Sequence, residues 1–467
     1  FSIAMHCAFV FLFFVSAVLS NKLVGDHFIH VEHDMHVSEV VQFIEDNGGI
    51  VDQVNRQFVS CYGFSDIFQH LKDRNLTYSV EPNQKELYQQ RKLESFVTTK
   101  DETCCSDSSW AQYHDYESLT SLLHELQEQF PDICTLESVG QSVLGRELWM
   151  VKISDNAATL EAGEPQFQYI GNMHGDEVVG REMLLRYIYH LLSSYEDGDP
   201  EIVNLVDSTQ IYILPSLNPD GFELHQRANA NGIDLNRDFP DRQNGIDHYP
   251  QPETSAIMAF SLANHFILSA NLHGGSLVVN YPYDDNSYHV SGIYSACPDD
   301  ALFRDISVAY SRENQPMYMS EEFPNGITNG ADWYVLSGGM QDWNYAKTFS
   351  NFHVTIELSY IKWPGASTLE QYWEDNREAM TAYLRKVHQG VRGTVLNAEG
   401  NSIPAVIEIE GINHQVLTSP LDGWFYRPLS PGSYTVICTS PEYPGVQLTE
   451  QLDVFEDTPT EFHFNFE

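Results

Sequence analysis

The sequence predicts an α/β fold with a central mixed sheet, preceded by a small α+β region and followed by a small all-β sandwich. Strand-like and helix-like segments alternate through the middle of the chain, which is typical of α/β folds. Residues 392–467 contain short strands that Gly, Pro and Asn interrupt at regular spacing, as in a sandwich. Residues 28–95 mix short strands with two amphipathic helices.

The composition restricts the class of partner. The 467 residues include 24 Lys and Arg but 66 Asp and Glu, so the formal net charge is −42. Such an acidic chain repels phosphate backbones and anionic bilayers, so we expect neither nucleic acid nor a membrane surface as a partner. Intrinsic disorder is also excluded, because 42% of the residues are hydrophobic and 12% are aromatic.

The segment 1–20 predicts a secretory signal peptide. Its apolar run, residues 8–19, is short for a membrane span, and small residues suit cleavage after Ser20. A buried core helix is the alternative. We expect a secreted protein, or one in the lumen of a vacuole or another secretory compartment, without a membrane anchor. The six cysteines after Ser20 permit disulfides, and residues 75–77 form an N-glycosylation sequon.

The region after the signal predicts two helices and then a linker. In VSEVVQFIEDNGG the apolar residues share one helical side, and Gly48 is a stop signal. The stretch SDIFQHLKDRNLTYSV predicts a second helix with Ser65 as its N-cap. A polar linker follows at 96–107, and Arg91-Lys92 before it would be open to processing proteases.

Residues 108–391 contain the predicted strands and helices of the α/β domain. The predicted strands lie in QFQYI, STQIYILPS, SANLH and NFHVTIELSY, and the main helix lies in VGREMLLRYIYHLL. Ligands of α/β sheets lie at the carboxyl ends of the strands, so polar residues after these runs are candidate site residues.

Three residues of metal-binding type lie at such positions. His174 and Glu177 lie between a predicted strand end and a helix start, and both residue types bind zinc well. His273, at the end of another predicted strand, is the candidate third ligand, which leaves a fourth position for water. With 19 histidines in the chain, this spacing alone is a weak signal, so the prediction depends on neighbouring motifs.

Five motifs occur in a characteristic order. They are GNMHGDEVVGREMLL, NGIDLNRDFP, SANLHGGSLVVNYPYDD, GITNGADWYVLSGGMQDWNY and VTIELSYIKWP. Together they resemble the zinc metallocarboxypeptidase family, in its regulatory branch, typified by carboxypeptidases E, N, M and D. The resemblance covers residues 108–467, because 392–467 resembles the transthyretin-like β-sandwich of that branch.

The resemblance implies one Zn²⁺ per chain and a hydrolytic reaction. His174, Glu177 and His273 match the zinc ligands, and Asp234 matches the carboxylate that orients the first histidine. Glu357 matches the general base, which takes a proton from the attacking water and passes it to the leaving amine. An edge-strand surface position is the alternative for Glu357.

The resemblance also implies how the end of a peptide would be held. Arg227 matches the arginine that stabilises the oxyanion, and Asn236 and Arg237 match the pair that binds the terminal carboxylate. Tyr334 matches the mobile tyrosine that closes over the bound end, with Tyr345 as the competing candidate. These residues imply an exopeptidase acting on peptide or protein C-termini.

Asp284 matches the specificity position of the pocket for the terminal side chain, and Gln341 matches a supporting polar group. A carboxylate there predicts release of C-terminal Lys or Arg. A solvated acidic turn is the alternative for Asp284, and Asp285 is interpreted as part of a turn. An inactive peptide-binding homologue and a carboxypeptidase of different specificity remain alternatives for the whole protein.

Two features depart from the regulatory branch. Within residues 28–95, the stretch SDIFQHLKDRNLTYSVE resembles the prodomain of the digestive branch, where a segment shields the cleft until it is cut. The regulatory branch usually lacks a prodomain. A zymogen is therefore a hypothesis, and an accessory domain without inhibitory role is the alternative. Asn351 and Tyr360 stand where the branch often has cysteines, and we expect no effect on the chemistry.

Overall fold

The computed structural model describes residues 24–87 except 26, 34–36, 56 and 84, together with 109–348 and 350–467. The predicted signal peptide, Arg91-Lys92 and the linker at 96–107 lie outside the described residues.

The described residues form the following strands and helices. The strands are β1 His27–Glu32, β2 Ile50–Val54, β3 Phe58–Gly63, β4 Tyr78–Glu81, β5 Cys134–Gln141, β6 Glu147–Ile153, β7 Gln166–Gly171, β8 Gln210–Leu214, β9 Phe266–His273, β10 Leu277–Tyr281, β11 Ile327–Asn329, β12 Phe352–Leu358, β13 Gly390–Leu396, β14 Val406–Ile409, β15 Ile412–Leu417, β16 Trp424–Pro428, β17 Gly432–Thr439, β18 Gln447–Val454, β19 Pro459–Glu461 and β20 Phe464–Asn465. The α-helices are α1 Val37–Asp46, α2 Ile67–Asp73, α3 Tyr116–Gln129, α4 Val179–Glu196, α5 Pro200–Val206, α6 Pro219–Leu224, α7 Pro252–Ala263, α8 Asp300–Glu313, α9 Gln315–Tyr318, α10 Gly330–Trp333, α11 Met340–Lys347 and α12 Leu369–Arg385.

The N-terminal unit is a four-stranded antiparallel sheet, in the order β2-β3-β1-β4, with α1 and α2. The helix α1 buries the predicted apolar side, and Gly48 after it has φ of 77°. The predicted N-cap of α2 was wrong by one residue, because Asp66 occupies that position. Ser65 instead lies 3.1 Å from the ring of His27, on the neighbouring strand.

The central sheet has eight strands in the order β11-β10-β12-β9-β7-β8-β6-β5 and is mixed, as predicted. Helices cover both faces, because successive strand residues point to opposite sides. Tyr169 of β7 lies in a core with α3, α4, α8 and α12, whereas Ile170 packs in a second core with α7 and α11. The strands β7, β9 and β12 are neighbours and parallel, so their carboxyl ends meet at one edge.

The C-terminal region is all-β, and its first strand begins at Gly390. One sheet has the order β16-β13-β19 with β20 also on β13, and the other has the order β15-β14-β17-β18. Among the described residues every helix is too short or too polar to span a bilayer. The described cysteines, Cys61, Cys134, Cys297 and Cys438, are buried and free, and Cys104 and Cys105 lie outside the described residues.

Candidate active site

The predicted metal ligands lie together at the carboxyl ends of β7 and β9. His174 and Glu177 occupy the turn between β7 and α4, and His273 is the last residue of β9. Nδ1 of His174 and Nδ1 of His273 each lie 3.0 Å from an oxygen of Glu177. Ligand atoms of all three residues lie within 4.8 Å of one another, and all three side chains are buried.

This group fits a zinc ion by the chemistry of its donors. Two imidazole nitrogens and one carboxylate are a ligand set of catalytic zinc. Nε2 of His174 lies 3.0 Å from Oδ1 of Asp234, so Nδ1 faces the other two ligands. Although burial opposes ionisation of Glu177, His174 and Lys362 hold the pKa of this carboxyl well below its usual range.

Arg227 lies next to the three candidate ligands His174, Glu177 and His273, which we call the metal group. It is 2% exposed. Its Nε donates to Oδ2 of Asp234 at 3.0 Å, and its Nη1 donates to Oε1 of Glu177 at 3.1 Å. Its carbonyl oxygen accepts a hydrogen bond from the amide of Gly175, in the turn that carries the metal ligands. The side chain is therefore held with its guanidinium directed at the metal group.

Asn236 and Arg237 belong to a short 3₁₀ turn, Leu235–Arg237, that Asp234 caps by accepting from the amide of Asn236. Oδ1 of Asn236 accepts a hydrogen bond from the amide of Met340, at the start of α11. Nη1 of Arg237 donates to the carbonyl oxygen of Asn236 at 3.0 Å. Asp234 contacts Asn236 of the predicted carboxylate-binding pair and also His174 of the metal group. The pair therefore lies beside the metal group.

Glu357 lies on β12 in register with His273 on β9. Because β12 pairs with both β9 and β10, it is an interior strand and not the edge strand of the alternative interpretation. Oε2 of Glu357 is buried and has no hydrogen-bond partner among the described residues. Burial and then the neighbouring Glu177 raise the pKa of Glu357 above its usual range.

The two candidate tyrosines have different surroundings. Tyr334 follows α10, and burial raises its pKa, with Arg237 and Glu357 among the charged groups that act on it. The hydroxyl of Tyr345 instead donates to Asp299 at 2.7 Å, inside the core. Tyr334 thus lies near Arg237 and Glu357, whereas the hydroxyl of Tyr345 is hydrogen-bonded to Asp299.

Asp284 is buried, with 3% exposure, and is not a solvated turn residue. Its Oδ1 accepts hydrogen bonds from Asn280 and Gln341, each at 2.9 Å, and its amide donates to Oδ1 of Asp342 at 2.9 Å. Burial raises the pKa of Asp284 to about 7. The backbone at Gly330 lies close to Asp284. Only glycine fits at position 330, because a Cβ there would lie 2.0 Å from Oδ1 of Asp284.

Asp285 has a different set of hydrogen-bond partners from Asp284. Its Oδ1 accepts from the amide of Asn286 and lies 3.0 Å from the ring of His289, and its Oδ2 accepts from Ser337. These are turn contacts, as interpreted from the sequence, although the side chain is buried.

A strand of the N-terminal unit enters the site. Oδ1 of Asp52 on β2 accepts hydrogen bonds from Nη1 of Arg227, at 2.7 Å, and from Nζ of Lys362. The carbonyl oxygen of the preceding residue, Val51, accepts from Nη2 of Arg237 at 3.1 Å. The N-terminal unit thus occupies hydrogen-bonding groups of both arginines predicted to bind substrate.

Further contacts hold this unit against the α/β region, residues 109–389. The hydroxyl of Tyr62 donates to Oδ2 of Asp176 at 2.7 Å, and Nε1 of Trp333 donates to the carbonyl oxygen of Val54 at 2.9 Å. Trp333 and Tyr334 pack into the same apolar core as β1–β3.

Sequence reasoning missed four residues of this site: Asp52, Asn280, Asp342 and Lys362. Asn280 precedes Asp284 by four positions and Asp342 directly follows Gln341, so the motifs that contain Asp284 and Gln341 are the sequence signal for both. Lys362 lies in the motif VTIELSYIKWP, but the position of its side chain depends on the loop after β12. No sequence signal distinguishes Asp52 from other strand acids.

Comparisons with known proteins agree with this geometry. A family model described as "Zinc carboxypeptidase" matches residues 119–379. Carboxypeptidase D of Anas platyrhynchos is 46% identical over 362 residues, which is 73% of this chain and 26% of the relative. The carboxypeptidase N catalytic chain of Homo sapiens is 40% identical over 393 residues, 75% of this chain and 85% of the relative. Carboxypeptidase M of Mus musculus is 42% identical over 351 residues, 71% and 78% respectively.

Two solved structures share the fold. Carboxypeptidase A from Helicoverpa armigera has a TM-score of 0.59 at 21% identity and covers 78% of this chain and 97% of its own. Thrombin activatable fibrinolysis inhibitor has a TM-score of 0.56 at 18% identity and covers 78% of this chain and 98% of its own. At these identities the likeness concerns the fold alone. The chain spans about a quarter of the length of the carboxypeptidase D relatives that it matches.

Proposed function

This chain belongs to the zinc carboxypeptidase family, and from that premise we propose that it is an active metallocarboxypeptidase that releases C-terminal Lys or Arg. The observation that carries the specificity is the buried carboxylate of Asp284, which Asn280 and Gln341 hold by hydrogen bonds. A cationic side chain would pair with it. An apolar or acidic side chain would leave it buried without a counter-charge, which is unfavourable.

His174, Glu177 and His273 would hold the zinc ion, with Asp234 fixing the ring of His174. When bound there, zinc polarises a carbonyl group and lowers the pKa of a water molecule toward about 7.

The protein side chains would perform the remaining steps. Glu357 takes a proton from the attacking water and delivers it to the leaving amine, and its unpartnered Oε2 supports this role. Arg227 stabilises the negative charge that develops on the carbonyl oxygen. Asn236 and Arg237 bind the terminal carboxylate, which restricts the enzyme to the last peptide bond.

A substrate panel tests this function. Protein cleaved by limited trypsin treatment is assayed on peptides that end in Arg, Lys, Phe and Glu, with and without a chelator. We expect Arg and Lys release to exceed the others by about 100-fold, to stop with chelator and to return with Zn²⁺. Absence of chelator-sensitive release would favour the inactive binding homologue. Faster release of Phe or Glu would favour a different specificity.

We further propose that the N-terminal unit keeps the enzyme inactive until it is removed. The contacts of Asp52 with Arg227 and of Val51 with Arg237 support this proposal, because a substrate needs the same guanidinium groups. The burial of Tyr334 against the unit also supports it.

Limited proteolysis tests this second proposal. Activity on an Arg-ended peptide is compared before and after cleavage near Arg91-Lys92, with cleavage followed by mass spectrometry. We expect a large rise in activity that coincides with the loss of the N-terminal fragment. Equal activity before and after cleavage would support an accessory domain without an inhibitory role.

We propose a secretory route for this protein. The apolar segment at 8–19 and the sequon at 75–77 support it, and Asn75 is exposed between α2 and β4. Expression in a eukaryotic host tests this route. We expect protein in the medium that loses mass with a glycosidase, and retention inside the cell would contradict it.

A further inference from the structure

Lys362 lies in the candidate active site although none of the steps above uses it. It follows β12 by four residues, and its carbonyl oxygen accepts from the amide of Val178, next to the metal group. Its side chain is 8% exposed and passes Gly275, where a Cβ would lie 3.4 Å from Cε of Lys362. These contacts place the buried side chain of Lys362 beside the metal ligands.

The amino group of Lys362 has two carboxylate neighbours. It donates to Oε1 of Glu177 at 3.0 Å, within the catalytic region, and to Oδ1 of Asp52, from the N-terminal unit. Removal of the unit takes Asp52 away, while Glu177 stays as a metal ligand. The cleaved enzyme would then present a buried ammonium group toward the cleft.

Arg227 and Lys362 donate hydrogen bonds to the same oxygen atom of Asp52. Oδ1 of Asp52 accepts from Nη1 of Arg227 and from Nζ of Lys362 at the same time. Both donors thus reach a single anionic oxygen beside Glu177. Because Arg227 is the residue assigned to the oxyanion, the oxygen of Asp52 marks a position that an oxyanion of the substrate could take.

We propose that Lys362 is a second oxyanion-stabilising catalytic residue. As the water oxygen bonds to the scissile carbon, the carbonyl electron pair moves onto oxygen, and Lys362 and Arg227 both donate to it. When the carbonyl re-forms, the C–N bond breaks and the nitrogen leaves with the proton delivered by Glu357. This inference rests on the proposed function.

The substitution K362M, which keeps the side-chain length and removes the charge, tests this role. Each variant is purified as the full chain and then cleaved with trypsin, and kcat and KM are measured on an Arg-ended peptide. We expect kcat to fall by about 100-fold or more with KM nearly unchanged. K362R should recover part of kcat. K347M, on the exposed end of α11, is the matched control and should retain wild-type kcat.

Ligand binding separates catalysis from a structural role. Calorimetry compares a phosphonate peptide analogue, which mimics the tetrahedral state, with free arginine, which mimics the product. We expect K362M to weaken the phosphonate by about the factor lost in kcat, with arginine affinity and zinc content retained. Unchanged kcat, equal weakening of both ligands, or loss of zinc would overturn the proposal. An inactive wild-type enzyme would instead refute the proposed function on which it rests.

Discussion

At the residue scale, the proposed specificity for basic side chains predicts that the charge of Asp284 is required. The substitution D284N keeps the shape but removes the charge, so a bound Arg side chain would be buried without a counter-ion. We expect kcat/KM for an Arg-ended peptide to fall by about 100-fold, with little loss for a Phe-ended peptide. The ratio of the two kcat/KM values is the measurement.

The adjacent carboxylate is the control for that prediction. D285N changes a residue whose contacts are with His289, Ser337 and the turn, so the ratio should stay near the wild-type value. A shift of the ratio by D285N but not by D284N would contradict our assignment of the pocket.

The pKa of Asp284 predicts a pH dependence of binding. Burial raises this pKa to about 7, with Asn280 opposing the rise, so the free carboxyl is neutral below that pH and charged above it. A basic side chain needs the charged form. We expect the affinity for arginine to be constant above about pH 7 and to approach a tenfold loss per pH unit below it. Calorimetry on the cleaved enzyme measures this affinity, and D284N should lack this pH dependence.

At the element scale, β2 brings one charged side chain, that of Asp52, into the candidate active site. D52N removes the negative charge that pairs with Arg227 and Lys362. Each of these two buried cations then lacks one anionic partner. Breaking such a buried pair costs about 3 to 5 kcal/mol, so the N-terminal unit should dock less tightly. We expect the uncleaved variant to show at least about tenfold more basal activity than the uncleaved wild type.

An exposed carboxylate on the same unit is the control for D52N. E32Q, on β1, should leave the uncleaved protein as inactive as the wild type. Equal basal activity of D52N and E32Q would show that Asp52 does not hold the unit in the site.

Helix α11 connects the pocket with the C-terminal sheets. Gln341 at its start donates to Asp284, and Tyr345, one turn later, donates to Asp299 and stacks on His414 of β15 at 4.2 Å. Nη2 of Arg427 on β16 donates to the other oxygen of Asp299 at 2.6 Å. The all-β region thus supports the helix that carries part of the pocket.

This buried ion pair predicts a stability effect. R427M leaves Asp299 without its cation in the core, so we expect the free energy of unfolding to fall by about 3 to 5 kcal/mol. R377M removes an exposed pair with Glu378 and should cost at most about 1 kcal/mol. Denaturant unfolding of the two variants measures the difference. Similar losses of unfolding free energy in R427M and R377M would contradict a stabilising role of the buried pair between Arg427 and Asp299.

At the scale of the whole molecule, the net charge of −42 produces a long-range field. This field attracts cationic peptides, but salt screens it beyond about 8 Å at physiological ionic strength. We expect kcat/KM for a peptide with several Lys residues to fall several-fold between about 0.05 and 0.5 M salt. A peptide whose one charged side chain is the terminal Arg should respond less. If salt lowers kcat/KM equally for both peptides, the salt effect arises in the pocket and not from the long-range field.

Much of the site was predictable because its residues lie in local motifs at strand ends. His174 and Glu177 follow β7, and His273 is the last residue of β9. Parallel neighbouring strands necessarily bring their carboxyl ends together. The helix α1 was predictable from its apolar periodicity. The N-cap of α2 was placed one residue early because Ser and Asp are both good caps and adjacent in the sequence.

The sequence by itself determined the α/β class, the family, and the residue types needed for zinc binding and peptide hydrolysis. Only the tertiary structure decided that Asp284 is buried and that Asp52 and Lys362 reach Arg227 and Glu177. Asp52 lies 175 positions from Arg227 and 310 positions from Lys362, so no local pattern links them. Burial and charge pairing depend on which elements pack together, and packing is a property of the whole chain.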